Sequence, residues 1–189
     1  MTKDTDRIDS NLIGEADTRN VIDEYKHWRV DAIKANLAEK AFPIHIAIEN
    51  YQHDYNVGSI VRTANACNVA GVHIVGKRHW NRRGAMATEK YLSLYHHKSV
   101  PDFEQWCLGA KLTVVGVDNI PGSVPLGDTS LRQESMLVFG QEGPGLSQEM
   151  QKLCTTIVAI EQFGSTRSVN VGVAAGIVMY EWLRQNVLS

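Results

Sequence analysis

A chain of 189 residues with a hydrophobic fraction of 43% and a formal net charge of -2 suits one domain with a short appendage. It holds no apolar run near the ~20 residues a bilayer span needs, and its polar N-terminus lacks the apolar core of a secretory signal, so a cytoplasmic protein is expected. No global basic field advertises nucleic acid, and Cys67, Cys107 and Cys154 have no metal-ligand spacing, which reads as reduced, partly buried thiols.

In chain order, residues 1–20 are acidic and poor in large apolar side chains, so a flexible tail is expected there. Tyr25, Trp28, Ala32, Ile33 and Leu37 recur at steps of three and four, which predicts a helix over about 23–40. These two pieces form an N-terminal extension, 1–40, ahead of a main domain at 41–189. Pro43 breaks the pattern, and residues 44–48 alternate as a strand does. A loop (49–56), a helix (57–70) and a strand (72–75) follow. A basic loop begins at Gly76. Next come a helix (101–110), a strand (112–117), a loop (118–130), a strand (136–139), a short helix (147–153), a strand (156–160) and a closing helix (169–186). Alternating strands and helices predict an α/β fold, a mostly parallel sheet with helices on both faces. Ligands of such sheets bind beyond the strand C-termini. There lie the loops 49–56, 76–88, 118–130, 140–146 and 161–168.

Charge is distributed unevenly. Residues 1–24 hold seven acids against three bases. Residues 77–98 hold six bases (Lys77, Arg78, Arg82, Arg83, Lys90, Lys98) against Glu89, with Trp80, Tyr91 and Tyr95 interleaved and His79, His96 and His97 nearby. That mixture fits either a phosphate-binding surface or a solvated loop with scattered charge.

Three stretches carry candidate chemistry. In Asn56-Val57-Gly58-Ser59-Ile60-Val61-Arg62, Asn56 is placed to cap a helix. Arg62 stands among small and apolar residues, where a charge needs a partner: a substrate phosphate, matched by the guanidinium fork, or a protein carboxylate. In Gly140-Gln141-Glu142-Gly143-Pro144-Gly145-Leu146, glycines let backbone approach a ligand closely, and Glu142 could bind a hydroxyl or amine. It is neither a GxGxxG nor a phosphate-loop pattern. The third stretch, 160–180, runs from a strand end through Gly164, Ser165, Thr166, Ser168 and Asn170 into a helix made thin by Gly172, Ala174, Ala175 and Gly176. A helix N-terminus so dressed is either a small-molecule cradle or an ordinary cap.

Together these stretches resemble the SpoU/TrmH group of the SPOUT methyltransferase superfamily over about residues 42–186. The match rests on Asn56 followed by Arg62, on Gly140-x-Glu142-Gly143-x-Gly145-Leu146, and on Ser168-x-Asn170-Val171 followed by Ala174-Ala175. It departs at Glu161-Gln162-Phe163, where relatives often have Pro-Met before the glycine.

The resemblance implies transfer of a methyl group from S-adenosylmethionine to a ribose 2′-hydroxyl of RNA. It also implies a C-terminal trefoil knot, a homodimer with active sites at its interface, and no metal. Arg62, Asn56, Glu142, Ser168 and Asn170 would form the catalytic set. Gly140, Glu142, Gly143, Leu146, Ile160, Gly164 and Val169 would hold the cofactor. Lys77, Arg78, Arg82, Arg83 and Lys90, with Arg62, would contact RNA. A guanidinium scarcely deprotonates, so Arg62 is expected to hold a phosphate and stabilise developing negative charge rather than act as base. With only about 40 residues outside the domain, tRNA is favoured over rRNA. The alternatives are a catalytically idle RNA-binding module of the same fold and an RNA base methyltransferase.

Overall fold

A computed structural model describes residues 4–14 and 16–188. Seven strands form one sheet: β1 (Phe42–Asn50), β2 (Val69–Gly76), β3 (Leu94–His97), β4 (Thr113–Val117), β5 (Val124–Pro125), β6 (Ser135–Phe139) and β7 (Thr156–Ala159). Their order is β3-β2-β1-β6-β4-β7-β5, and every neighbouring pair is parallel. Among the described residues five α-helices accompany it: α1 (Val30–Glu39), α2 (Val57–Ala66), α3 (Val100–Ala110), α4 (Gln148–Leu153) and α5 (Val171–Asn186). The expected α/β sheet is therefore present.

Two apolar layers cover the sheet. On one face, Ile46 and Ile48 of β1 and Leu137 and Phe139 of β6 meet Ile60, Val61 and Ala64 of α2 and Ala175, Val178 and Met179 of α5. On the other, Ala47, Val75, Met136 and Val138 meet Phe103 and Cys107 of α3 and Met150 of α4. Burial pushes the Cys107 and Cys154 thiols up to about 12, so neither is a ready nucleophile.

Several boundaries differ from the sequence reading. The helix expected from 23 begins only at Val30. Residues Asp23–Tyr25 form a 3-10 turn, and His27 takes a left-handed φ of 63° that breaks helical continuity. The tail expected to be flexible is hydrogen-bonded where it is described; residues 1–3 and 15 lie outside the described residues. Asp17 accepts from the Arg19 guanidinium and from the His27 backbone N–H, and Arg19 holds the Trp28 carbonyl. The hydrogen-bonded Arg19 side chain keeps the Asp17 carboxyl well below the usual carboxylate range. Tyr25 and Ile33 then pack on Tyr91, so Tyr91 belongs to this joint and not to an RNA-contacting surface.

Helix α2 stops at Ala66, four residues early, because Asn68 adopts φ 47°. Within the basic segment, β3 was not anticipated. His97, expected at the surface, is 7% exposed and hydrogen-bonds His73, while His96 stays exposed and bonds the Gly76 carbonyl. Among the described residues no helix is long and apolar enough to cross a membrane.

Candidate active site

Beyond the C-terminal ends of β4, β6 and β7 opens a cavity of about 500 Å³. Its walls are Val117, Asp118, Asn119 and Ile120 after β4, the loop 139–145 after β6, and Ile160, Gln162 and residues 167–171 after β7, with Ala174. This is the crevice that a parallel α/β sheet is expected to offer.

The loop after β6 is folded tightly by its glycines. Gln141 and Gly145 exchange both backbone hydrogen bonds at 3.0 Å. Gly140 lies so close to this closure that a Cβ would overlap the backbone of Gly145 and Leu146. The loop is fixed from outside as well. Asp118 accepts the Leu146 backbone N–H at 2.8 Å. Buried Glu49, at the end of β1, accepts both the N–H and the hydroxyl of Ser147, at 2.8 and 2.7 Å. Burial pushes the Glu49 pKa up, although the Ser147 bonds oppose that shift.

Three side chains from three distant stretches meet at the rim. Asn56 donates to Glu142 Oε2 at 2.7 Å, and Asn170 Nδ2 donates to Asn56 Oδ1 at 3.2 Å and reaches Glu142 Oε1 at 3.5 Å. Asn170 Oδ1 meanwhile caps α5, accepting from Gly172 and Val173 N–H. It is both an ordinary cap and part of the site, which resolves the two readings of that stretch. Asn56 corrects its own: it precedes α2 but makes no capping bond there, because its side chain is spent on Glu142 and Asn170.

The remaining expected residues divide. Gly140, Glu142, Gly143, Ile160, Ser168 and Val169 line the cavity. Leu146 and Gly164 do not. The Leu146 side chain is buried in the core beside Met150. Its N–H donates to Asp118 and its carbonyl accepts from Gln151 Nε2, so the N–H is not free for a ligand. Gly164 is exposed, with nothing within 4 Å of a Cβ placed on it. Arg62 also differs from the reading that gave it a buried charge in need of a partner. It is exposed, and among the described residues it has no ion pair.

Residues 43–180 match the profile described as the SpoU rRNA Methylase family. The chain belongs to the SpoU rRNA methylase family. It is 29% identical over 171 residues to the 23S rRNA (guanosine-2′-O-)-methyltransferase RlmB of Neisseria meningitidis serogroup B, covering 86% of this chain and 66% of that one. It is 26% identical over 152 residues to the tRNA (guanosine(18)-2′-O)-methyltransferase of Escherichia coli K12, covering 79% of this chain and 66% of the relative. Among solved structures it is similar to the SpoU methyltransferase AviRb from Streptomyces viridochromogenes in complex with AdoMet, with a TM-score of 0.69 and 25% identity over 76% of this chain and 57% of that one. The chain thus spans somewhat under two thirds of the length of these relatives.

Within this SpoU-family site, the sequence reading missed Asp118 and Asn119. Asp118 fixes the loop after β6, and Asn119 Nδ2 donates to the Arg167 carbonyl at 3.1 Å, fixing the loop after β7. An Asp-Asn pair immediately after a β-branched strand was the available signal. Lys77, Arg78, Arg82, Arg83 and Lys90 are exposed and, among the described residues, in no ion pair. Arg82 and Arg83 sit beside α2, which begins next to Asn56, because that helix rests directly on the turn that carries them. A Cβ on Gly58 would stand 2.8 Å from the Ala85 backbone nitrogen.

Proposed function

We propose that this SpoU-family protein is an RNA methyltransferase of the cytoplasm that uses S-adenosylmethionine and modifies a ribose 2′-hydroxyl. The carrying observation is the Asn56–Glu142–Asn170 cluster, which joins the three motif stretches at the rim of a glycine-walled cavity. S-adenosylmethionine, when bound, supplies an electrophilic methyl group. The residues present suit it. Val117, Ile120, Phe139 and Ile160 offer apolar wall, and the 140–145 backbone allows close approach. Gln141 Oε1 and Gln162 Oε1 are buried acceptors without a protein donor, suited to the cofactor's amino groups.

The protein's own contribution is orientation and charge. Glu142, fixed by two asparagine amides, gives the rim a rigid acceptor for a ribose hydroxyl. Ser168 adds a small polar group on the same wall. Arg62 holds an RNA phosphate and stabilises negative charge growing on the ribose oxygen. A guanidinium is a poor proton acceptor, so the hydroxyl proton passes to water at the open rim. We place tRNA ahead of rRNA as the substrate, and the N-terminal extension packs on Tyr91 of the main domain. The C-terminal passage from β6 to α5 is read as the trefoil knot of the family.

The protein would act as a homodimer. Val173, Ile177 and Tyr180 on α5 are exposed in the single chain, beside a second cavity lined by Gly176, Leu126 and Ile160. Ile177→Arg is expected to give a monomer in sedimentation equilibrium, since a charge cannot be buried unpaired in an apolar interface; an unchanged dimer would rule this face out.

Methyl-labelled S-adenosylmethionine, total RNA lacking its own modifications and nucleoside digestion test the reaction. Label is expected in 2′-O-methylnucleosides of the tRNA fraction. Arg62→Ala should lower that signal by roughly 100-fold or more with cofactor affinity unchanged, as for loss of one charge-stabilising donor. Label on a base would overturn the ribose assignment.

A further inference from the structure

β1 leads straight into the site, and the loop 51–56 that carries it there presents two aromatic rings. His53 and Tyr55 stack with centroids 5.7 Å apart and planes 11° from parallel. Tyr55 is 71% exposed and belongs to none of the apolar clusters, so its ring does not serve the core. The loop is held on both sides of that ring. Asp54 Oδ2 accepts the Asn81 backbone N–H at 2.7 Å, tying the loop to the turn that bears Arg82 and Arg83. Asn56, the next residue after Tyr55, is bonded to Glu142. A stacked, solvent-facing aromatic pair therefore stands between the polar rim cluster and a row of exposed cations.

We propose that His53 and Tyr55 form a stacking platform for an unpaired nucleobase adjacent to the nucleotide being modified. This rests on the reading of the substrate as RNA. Every base has a π-face, so such a platform accepts bases without regard to sequence, while neighbouring cations take the phosphates. Bases inside a continuous helix are stacked on one another and cannot reach an external ring; bases in loops and bulges can. The platform thus selects a target in a loop or bulge over one within a duplex. Tyr55 contributes stacking and no phosphate contact, so its removal should leave the salt dependence of binding intact, whereas removal of Arg82 should reduce it.

The test uses the full chain with a fluorescently labelled single-stranded oligoadenylate, and with the same strand annealed to its complement. Tyr55→Ala should weaken single-strand binding roughly tenfold, the scale of one lost base-stacking contact. Duplex binding should stay within about twofold and the salt slope should not change. Tyr55→Trp, which keeps a stacking face, should retain the preference for the single strand. The proposal is overturned if Tyr55→Ala weakens both RNAs equally, if it weakens neither, or if the unmodified protein does not prefer the single strand. Failure of the methyltransferase reading would look different: no cofactor binding and no methyl transfer by the unmodified protein, whatever its preference between the two RNAs.

Discussion

Gly140→Ala is expected to weaken binding of S-adenosylmethionine roughly 100-fold while leaving the protein folded. The added Cβ would overlap the backbone of Gly145 and Leu146, and no rotamer change can relieve a clash between backbone segments. The loop must open, which breaks the paired bonds between Gln141 and Gly145 and moves the cavity wall. Overpacking of this kind costs about 3 kcal/mol, close to two orders of magnitude in affinity. Two other glycines set the scale. Gly143 has open space around it but a φ of 97°, so an alanine there brings only backbone strain of about 1–2 kcal/mol. Gly164 has open space and no such φ, and Gly164→Ala should bind the cofactor normally. Calorimetric titration of the three variants, with thermal melting as the control for folding, checks the ranking. Normal affinity in Gly140→Ala would remove the 140–146 loop from the cofactor site.

The second large effect lies on the opposite face of the sheet and concerns stability. His45, His73 and His97 come from three adjacent strands. His45 Nδ1 meets His73 Nε2 at 3.0 Å, and His73 Nδ1 meets His97 Nε2 at 2.9 Å. Trp106 and Tyr95 pack on the central ring at centroid distances of 4.2 and 4.6 Å. Burial lowers all three pKa values, to about 2 for His73 and about 4 for His45. For His73 and His97 the neighbouring imidazoles lower them further; Asp102, at the start of α3, pulls His97 the other way.

The sign follows from these depressed values. The folded chain holds the rings neutral, so their contribution is fully present above the unfolded value of about 6.5 and is lost as pH falls toward the folded values. At about 1.4 kcal/mol per pH unit for each ring that stays neutral, His73 alone removes on the order of 3 kcal/mol between pH 6.5 and 4. That is a large part of a typical domain's 5–15 kcal/mol. Urea unfolding across this window should show a steep acid loss, and His73→Leu should flatten it by about one proton while lowering stability at neutral pH. An identical slope in the variant would mean that His73 is charged in the fold.

Much of this arrangement was legible in the chain itself. Two spacings were independently informative: period two in residues 44–48, and the change to small residues at 172–176. Asn56, Glu142 and Asn170 could be grouped only because their three stretches together resemble those of the SpoU/TrmH group; singly, each had an ordinary reading as a cap or loop residue. What stayed hidden depends on contacts between distant residues. Nothing local marks Met86 and Ala87 for left-handed backbone at φ 51° and 65°; tertiary packing of the turn on α2 imposes it. His73 sits in an apolar strand as an apparent exception, and only the register His73↔Tyr95 and Val75↔His97 reveals its partner. The acidity of residues 1–20 suggested a flexible tail because Asp17 could not be seen to close on Arg19 and the His27 backbone. Leu146 was misplaced because a motif gives position along the chain and not the direction of a side chain.

Asp118 and Asn119 make the two walls of the cavity dependent on each other. One residue grips the loop after β6 and its neighbour grips the loop after β7, both from the end of β4. A graft of either loop from a relative would arrive without its anchor unless the Asp-Asn pair travelled with it. Anyone reshaping this pocket for a different cofactor must exchange three chain segments as a single inheritable unit.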